Sequence, residues 1–314
     1  MISKIEKLNI FPTPVQYSPF LSELMNTNFY FKRDDLYISG GGGSKARMLD
    51  YILSKAKSEN AEYILTAGGP YSNFNRALAL KANKYGLKVK LVLYDKNTHL
   101  NDKNLNKRIC DYCDIEYIPC EPDNVVETIE NEKNKLNYFE IKYYYIWGGG
   151  KSNEGVQAYF DCVNEIKSHI DFSPNYFVVP LGTGTTFSGL SLGCEQFMPD
   201  TKTIGISIAR KRNEIVKVID DIILDFLKAN SYDLHTKSEN LKDYIHDEFI
   251  LGGYGKVNKE YLSFIKEITK NESTVFDDIY VGKALYGLYK LNKENKMLQN
   301  KNTVFINTGG IYNF

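Results

Sequence analysis

The strongest constraint on the fold lies between residues 63 and 94. Tyr63-Ile64-Leu65-Thr66-Ala67 reads as a strand and Gly68-Gly69-Pro70 breaks it. Arg76 to Tyr85 carries a helical pattern that Gly86 ends, and Lys88 to Tyr94 reads as the next strand. A strand, a helix and a strand joined by short connections form a βαβ unit. Such a unit requires parallel strands and a right-handed crossover.

The same rhythm extends in both directions. Met48, Leu49, Ile52, Leu53 and Ala56 share one helical face, which predicts an amphipathic helix over 45–57. The polar stretch from Asp95 to Lys107 reads as a loop, and Ile115 to Ile118 as a strand. Tyr143 to Trp147 runs into Gly148-Gly149-Gly150, a second glycine run that suggests a crossover between domains. Strands are expected at 176–181 and 203–208, polar helix over 210–248, and a strand running into a glycine turn over 303–310. The expected class is α/β, and 314 residues suffice for two domains.

Bulk properties exclude several roles. Lys+Arg and Asp+Glu both total 39, so no basic excess points to nucleic acid. No apolar run has transmembrane or signal-peptide length, and five cysteines suggest a reducing compartment, so a cytoplasmic protein is expected. Cys110 and Cys113 form a CxxC with Cys120 nearby, but no His follows at zinc-site spacing. These cysteines are read as buried thiols, and no metal is expected.

Three loops carry candidate chemistry. Lys45 follows Gly40-Gly41-Gly42-Gly43-Ser44. Glycines leave room for a flat group to approach, and a confined amine favours its neutral, nucleophilic form. That suggests a Schiff-base lysine; the alternative is a flexible turn with a solvated side chain. Gly68 to Asn75 joins a strand to a helix, so its N–H groups and the Ser72 hydroxyl can hold a carboxylate, or Ser72 can simply cap the helix. Gly182-Thr183-Gly184-Thr185-Thr186 has no lysine and no GK[ST]. Its small residues suit one phosphate monoester, or an ordinary turn. An aldehyde-binding lysine, a phosphate cradle and a carboxylate loop together match the needs of pyridoxal phosphate and an amino-acid substrate.

With these motifs in place, the chain resembles the fold-type II pyridoxal-phosphate enzymes, in particular the D-cysteine desulfhydrase and 1-aminocyclopropane-1-carboxylate (ACC) deaminase group. Lys32-Arg33-Asp34-Asp35 with Gly42-Gly43-Ser44-Lys45-Ala46-Arg47-Met48-Leu49 looks like the family's KREDL…GGNKxRKLE. Gly68 to Asn73 resembles GGxQSN, and Ile146 to Gly155 resembles IPxGGSxxxG. Tyr254-Gly255 resembles the family's YG, Asp277 to Ala284 resembles DPVYTGKA, and Phe305 to Gly310 resembles FIHTGG.

The resemblance implies a tryptophan synthase β-like fold with two domains built on open, twisted, mostly parallel sheets. Residues 1–47 with 151–314 would form the larger, cofactor-binding domain, and 48–150 a smaller mobile one. Lys45 would hold the cofactor, Ser72 the substrate carboxylate and Asn73 the cofactor's phenolic oxygen. Gly182, Thr183, Gly184, Thr185 and Thr186 would hold the phosphate and Thr308 the ring nitrogen. Tyr254 and Tyr280 would be acid–base groups. A homodimer is implied.

Three residues depart from the pattern: Tyr71 replaces Gln, Phe74 replaces a polar residue, and Val281 stands where ACC deaminases carry the Glu that contacts the ring nitrogen. A weaker electron sink would suit β-elimination from a small amino acid, as in a D-cysteine desulfhydrase. The alternatives are β-replacement, ACC deamination and a non-catalytic relative.

Overall fold

The computed structural model describes residues 12–37, 39–94 and 104–313. Among the described residues ten strands form two sheets. They are β1 (Val15–Tyr17), β2 (Asn28–Lys32), β3 (Tyr63–Gly68), β4 (Lys88–Tyr94), β5 (Glu116–Cys120), β6 (Tyr143–Ile146), β7 (Tyr176–Leu181), β8 (Lys202–Ser207), β9 (Ile245–His246) and β10 (Asn302–Ile306). The helices are α1 (Pro19–Met25), α2 (Ser44–Ser58), α3 (Asn73–Ala82), α4 (Leu105–Asp111), α5 (Val125–Tyr138), α6 (Asn153–Lys167), α7 (Thr185–Phe197), α8 (Arg212–Ala229), α9 (Ser238–Leu241), α10 (Lys259–Glu272) and α11 (Val281–Asn295).

The larger sheet has six strands in the order β1-β2-β10-β7-β8-β9, and the smaller has four in the order β5-β4-β3-β6. Among the described strands β1 alone runs antiparallel to its neighbour, and every other pairing is parallel. Helices cover both faces of β7, β8 and β10 in the middle of the larger sheet, so the centres of these strands are buried rather than alternating. Phe177, Val178, Val179, Ile204, Ile206, Val304, Phe305 and Ile306 are all fully buried. The largest core cluster joins α2 and α3 of the small-sheet side to α6, α7 and α8 of the large-sheet side.

Two expectations need correction. The segment read as helix over 210–248 contains α8 and the short α9, but it ends in strand β9, which pairs with β8. Two residues are too few to show a period. The polar stretch from Asp95 lies outside the described residues as far as 103, and from Leu105 it is helical rather than loop. Asn104 starts that helix by accepting the backbone N–H groups of Asn106 and Lys107.

Cys110 is buried as expected, whereas Cys113 and Cys120 are only half-buried. Among the described residues no helix is long and apolar enough to cross a membrane.

Candidate active site

Parallel strands deliver their loops to one end, and here five strand ends converge. The loops after β3, β6, β7, β8 and β10 meet the start of α2 around one cavity of about 230 Å³. Its lining includes Lys45, Ser72, Asn73, Gly182, Thr183, Gly184, Thr186, Tyr254, Tyr280 and Thr308. Thr185 is fully buried and does not line the cavity; its hydroxyl lies 3.4 Å from that of Thr183.

Lys45 stands in the first turn of α2, and its Nζ donates to the carbonyl of Gly149 at 2.8 Å. Among the described residues it has no carboxylate partner, and burial pushes its pKa down to about 8. A lysine near neutrality is nucleophilic at physiological pH. Two residues on, Arg47 turns inward to Asp34 and Glu165 and fixes the first turn of α2.

The glycine run works differently from the sequence reading. Gly40, Gly41, Gly42 and Gly43 have φ of 70°, 75°, 82° and 88°, which L side chains rarely adopt. The space beside them is filled by protein, not left open. A Cβ on Gly43 would lie 2.5 Å from the Thr308 carbonyl oxygen, and one on Gly42 2.6 Å from that of Asp35. The Ser44 N–H donates to the Thr308 carbonyl at 3.0 Å, stitching the run to the loop after β10.

Ser72 caps α3 by accepting the Asn75 N–H at 3.3 Å, so capping and a place on the cavity wall coincide in one residue. Asn73 accepts at 3.2 Å from Asn106, a fully buried side chain that also donates to the carbonyl of Tyr71 and to Asn313. Phe74 lines the cavity and packs on Gly150, while Tyr71 does not line it.

At the other end, Gly184 enters α7 with φ of 92°, and no side chain caps that helix. Ser72 and Ser152, by contrast, cap α3 and α6. An uncapped helix N-terminus beside two lining threonine hydroxyls suits a phosphate. Among the described residues no Asp or Glu lines the cavity, and Arg210 does, donating to the Gly182 carbonyl at 3.3 Å. An unpaired amine, an uncapped anion end and a lining without acidic groups fit pyridoxal phosphate.

Tyr254 and Tyr280 share a hydrogen bond of 2.8 Å between their hydroxyls. Burial, then the neighbouring phenol and Asp277, raise the Tyr280 pKa, so this phenol keeps its proton at neutral pH. Asp277 is fully buried and accepts the N–H groups of Ile279, Tyr280 and Val281, which sets the turn carrying Tyr280. Val281 is fully buried in the core and lines no part of the cavity.

The family model described as "Pyridoxal-phosphate dependent enzyme" matches residues 6–309. The chain belongs to the pyridoxal-phosphate-dependent enzyme family. It is 31% identical to a Pyrococcus horikoshii protein that carries the provisional name 1-aminocyclopropane-1-carboxylate deaminase, over 99% of this chain and 94% of that one. It is 28% identical to a Klebsiella pneumoniae D-cysteine desulfhydrase, over 95% and 92%. The solved structure of an ACC deaminase homologue superposes with a TM-score of 0.86 at 30% identity, covering 96% of this chain and 90% of that one. The family assignment establishes a fold-type II enzyme that uses pyridoxal phosphate.

Arg210 and Asn106 escaped the sequence reading, and the glycine run at 148–150 was noted without the contact of Gly149 with Lys45. Arg210 had a usable signal, since it closely follows β8 in the position where the other loops carry candidates. Asn106 acts through contacts across the fold and leaves no local signature.

Proposed function

We propose that this enzyme catalyses β-elimination from a small amino acid carrying a leaving group at Cβ. One observation carries the reading: an amine depressed to about 8, Lys45, and a hydrogen-bonded phenol pair, Tyr254 and Tyr280, line the same cavity. Elimination needs a base at Cα and an acid near the leaving group.

Bound pyridoxal phosphate would supply an aldehyde for the substrate amine and a sink for the Cα electron pair. Lys45 would hold it, assisted by Asn73, Thr308 and the loop from Gly182 to Thr186, with the main-chain N–H rather than the buried side chain of Thr185. Ser72 and the first N–H groups of α3 would orient the substrate carboxylate. The freed Lys45 amine would take the Cα proton, and Tyr280, polarised by Tyr254, would donate to the departing group. With cysteine and water the products are pyruvate, ammonia and hydrogen sulfide. The proposal includes a mobile unit over residues 48–150 closing on the larger domain, and a cytoplasmic homodimer that sedimentation of the purified protein would test.

ACC deamination is the second reading, favoured by the names of the relatives at 31% and 32% identity. The loaded enzyme should be assayed with D-cysteine, D-serine, β-chloroalanine and ACC. Pyruvate from any of the first three supports elimination. 2-Oxobutanoate from ACC, with no pyruvate from the others, replaces it with the second reading.

A further inference from the structure

Lys283 is a buried cation that the chemistry above does not use. It lies in the first turn of α11, fully buried, and no carboxylate pairs with it among the described residues. Its Nζ instead donates to three backbone carbonyls, those of Ile208 at 3.3 Å, Ile250 at 3.1 Å and Gly253 at 2.5 Å. An ammonium has three donors and no acceptor, so this set saturates it. Burial still lowers its pKa, because no charge compensates.

The three carbonyls belong to two segments of the site. Ile208 follows β8 and lines the cavity, while Ile250 and Gly253 lead directly into Tyr254. The second segment has few other attachments. Leu251, Gly252, Gly253 and Gly255 all have positive φ, and a Cβ on any of these glycines would meet nothing within 4 Å. Tyr254 itself is 55% exposed, and its hydroxyl is held by Tyr280. The loop is therefore short of side-chain packing and rich in residues with a wide conformational range.

We propose that Lys283 is a positioning residue for Tyr254. Its ammonium fastens the 250–255 loop to the end of β8 and so sets the Tyr254 hydroxyl against Tyr280 at the cavity wall. The role in turnover rests on the reading of the phenol pair given above; the role in holding the loop does not.

The test is K283M, which keeps an unbranched apolar stem and removes all three donors. Amide hydrogen exchange in the loaded protein should accelerate about tenfold or more over 250–255, since even one lost charged hydrogen bond is enough for that, while β7 and β8 keep their protection. K283Q retains two donors and should fall between; it also serves if K283M does not fold. Pyruvate production by K283M should drop to the level of Y254F, and the double variant should be no slower than Y254F alone. Unchanged exchange over 250–255 in the folded variant overturns the proposal, as does a double variant whose defects multiply. If no amino acid yields product, the elimination reading fails and the exchange result still decides the role of Lys283.

Discussion

Arg47 and Asp34 form a two-pronged pair with both side chains shut off from solvent: Nε to Oδ2 at 2.8 Å and Nη2 to Oδ1 at 2.7 Å. Burial alone would raise the Asp34 pKa, and Arg47 overrides it and holds the carboxyl low. Arg47 also donates to Glu165 at 2.8 Å, and Lys32 contacts the same carboxylate. R47M would strand the buried Asp34 carboxylate, while Glu165 keeps Lys32, and should cost about 3–5 kcal/mol of stability. Denaturant unfolding of R47M checks this. The D34L/R47M double variant should recover part of the loss, because a removed charge no longer needs a partner.

Gly43 and Gly252 both have φ of 88° but sit in opposite surroundings. A Cβ on Gly43 would clash with the Thr308 carbonyl, while one on Gly252 meets nothing. G252A should cost about 1–2 kcal/mol, the price of the left-handed backbone alone. G43A should cost more and should also weaken pyridoxal phosphate binding, since Gly43 immediately precedes α2 and its lysine. Paired melting curves and a cofactor titration separate the two effects.

Lys45 should react through its neutral form. With its pKa pushed down to about 8 by burial, the rate at which stripped protein captures pyridoxal phosphate should rise with pH and level off above about 8. An ordinary lysine would show no plateau until well beyond that. Absorbance stopped-flow measures the rate, and K45A should develop no lysine-bound cofactor band at any pH.

Asp277 makes stability depend on pH in the opposite sense to most carboxylates. Burial raises its pKa from 3.8 to about 6, and its backbone N–H partners offset this only in part. Between those values the folded state holds a proton that the unfolded chain has released, so stability falls as pH rises from about 4 to 6. D277N lacks this term. Measured against wild type, its stability should shift in its favour by about 3 kcal/mol between pH 4 and pH 7. A constant difference across that range would show that Asp277 titrates normally.

Legibility in the sequence followed packing. The strand at 176–181 stood out because a parallel strand buried on both faces becomes an unbroken apolar run, and those at 63–67 and 88–94 because their apolar stretches are bounded by a glycine break and a helix end. The antiparallel edge strand β1 and the two-residue β9 are too short to show any period. Lys45, Ser72 and Thr308 were legible because each follows a glycine-rich or strand-end signal. The meaning of the four glycines was not, since only the folded chain reveals that Asp35, Arg76 and Thr308 press against them. The burial of Val281 was illegible for a related reason: its place in the motif is visible in sequence, and its distance from the cavity wall is not.

The strand order also bears on when the protein becomes competent as it leaves the ribosome. The small sheet draws on one continuous stretch, 63–146, and can pair early. The large sheet cannot, because β10, the last strand in the chain, sits between β2 and β7. Until residues 302–306 emerge, that sheet has a gap in its middle, and the pairing that closes it spans most of the chain length. Lys45 is made early, yet the carbonyl that its helix start leans on, Thr308, is made only after β10. Cofactor capture should therefore wait until the segment carrying Thr308 has emerged, which spares a shorter nascent chain from carrying a reactive aldehyde.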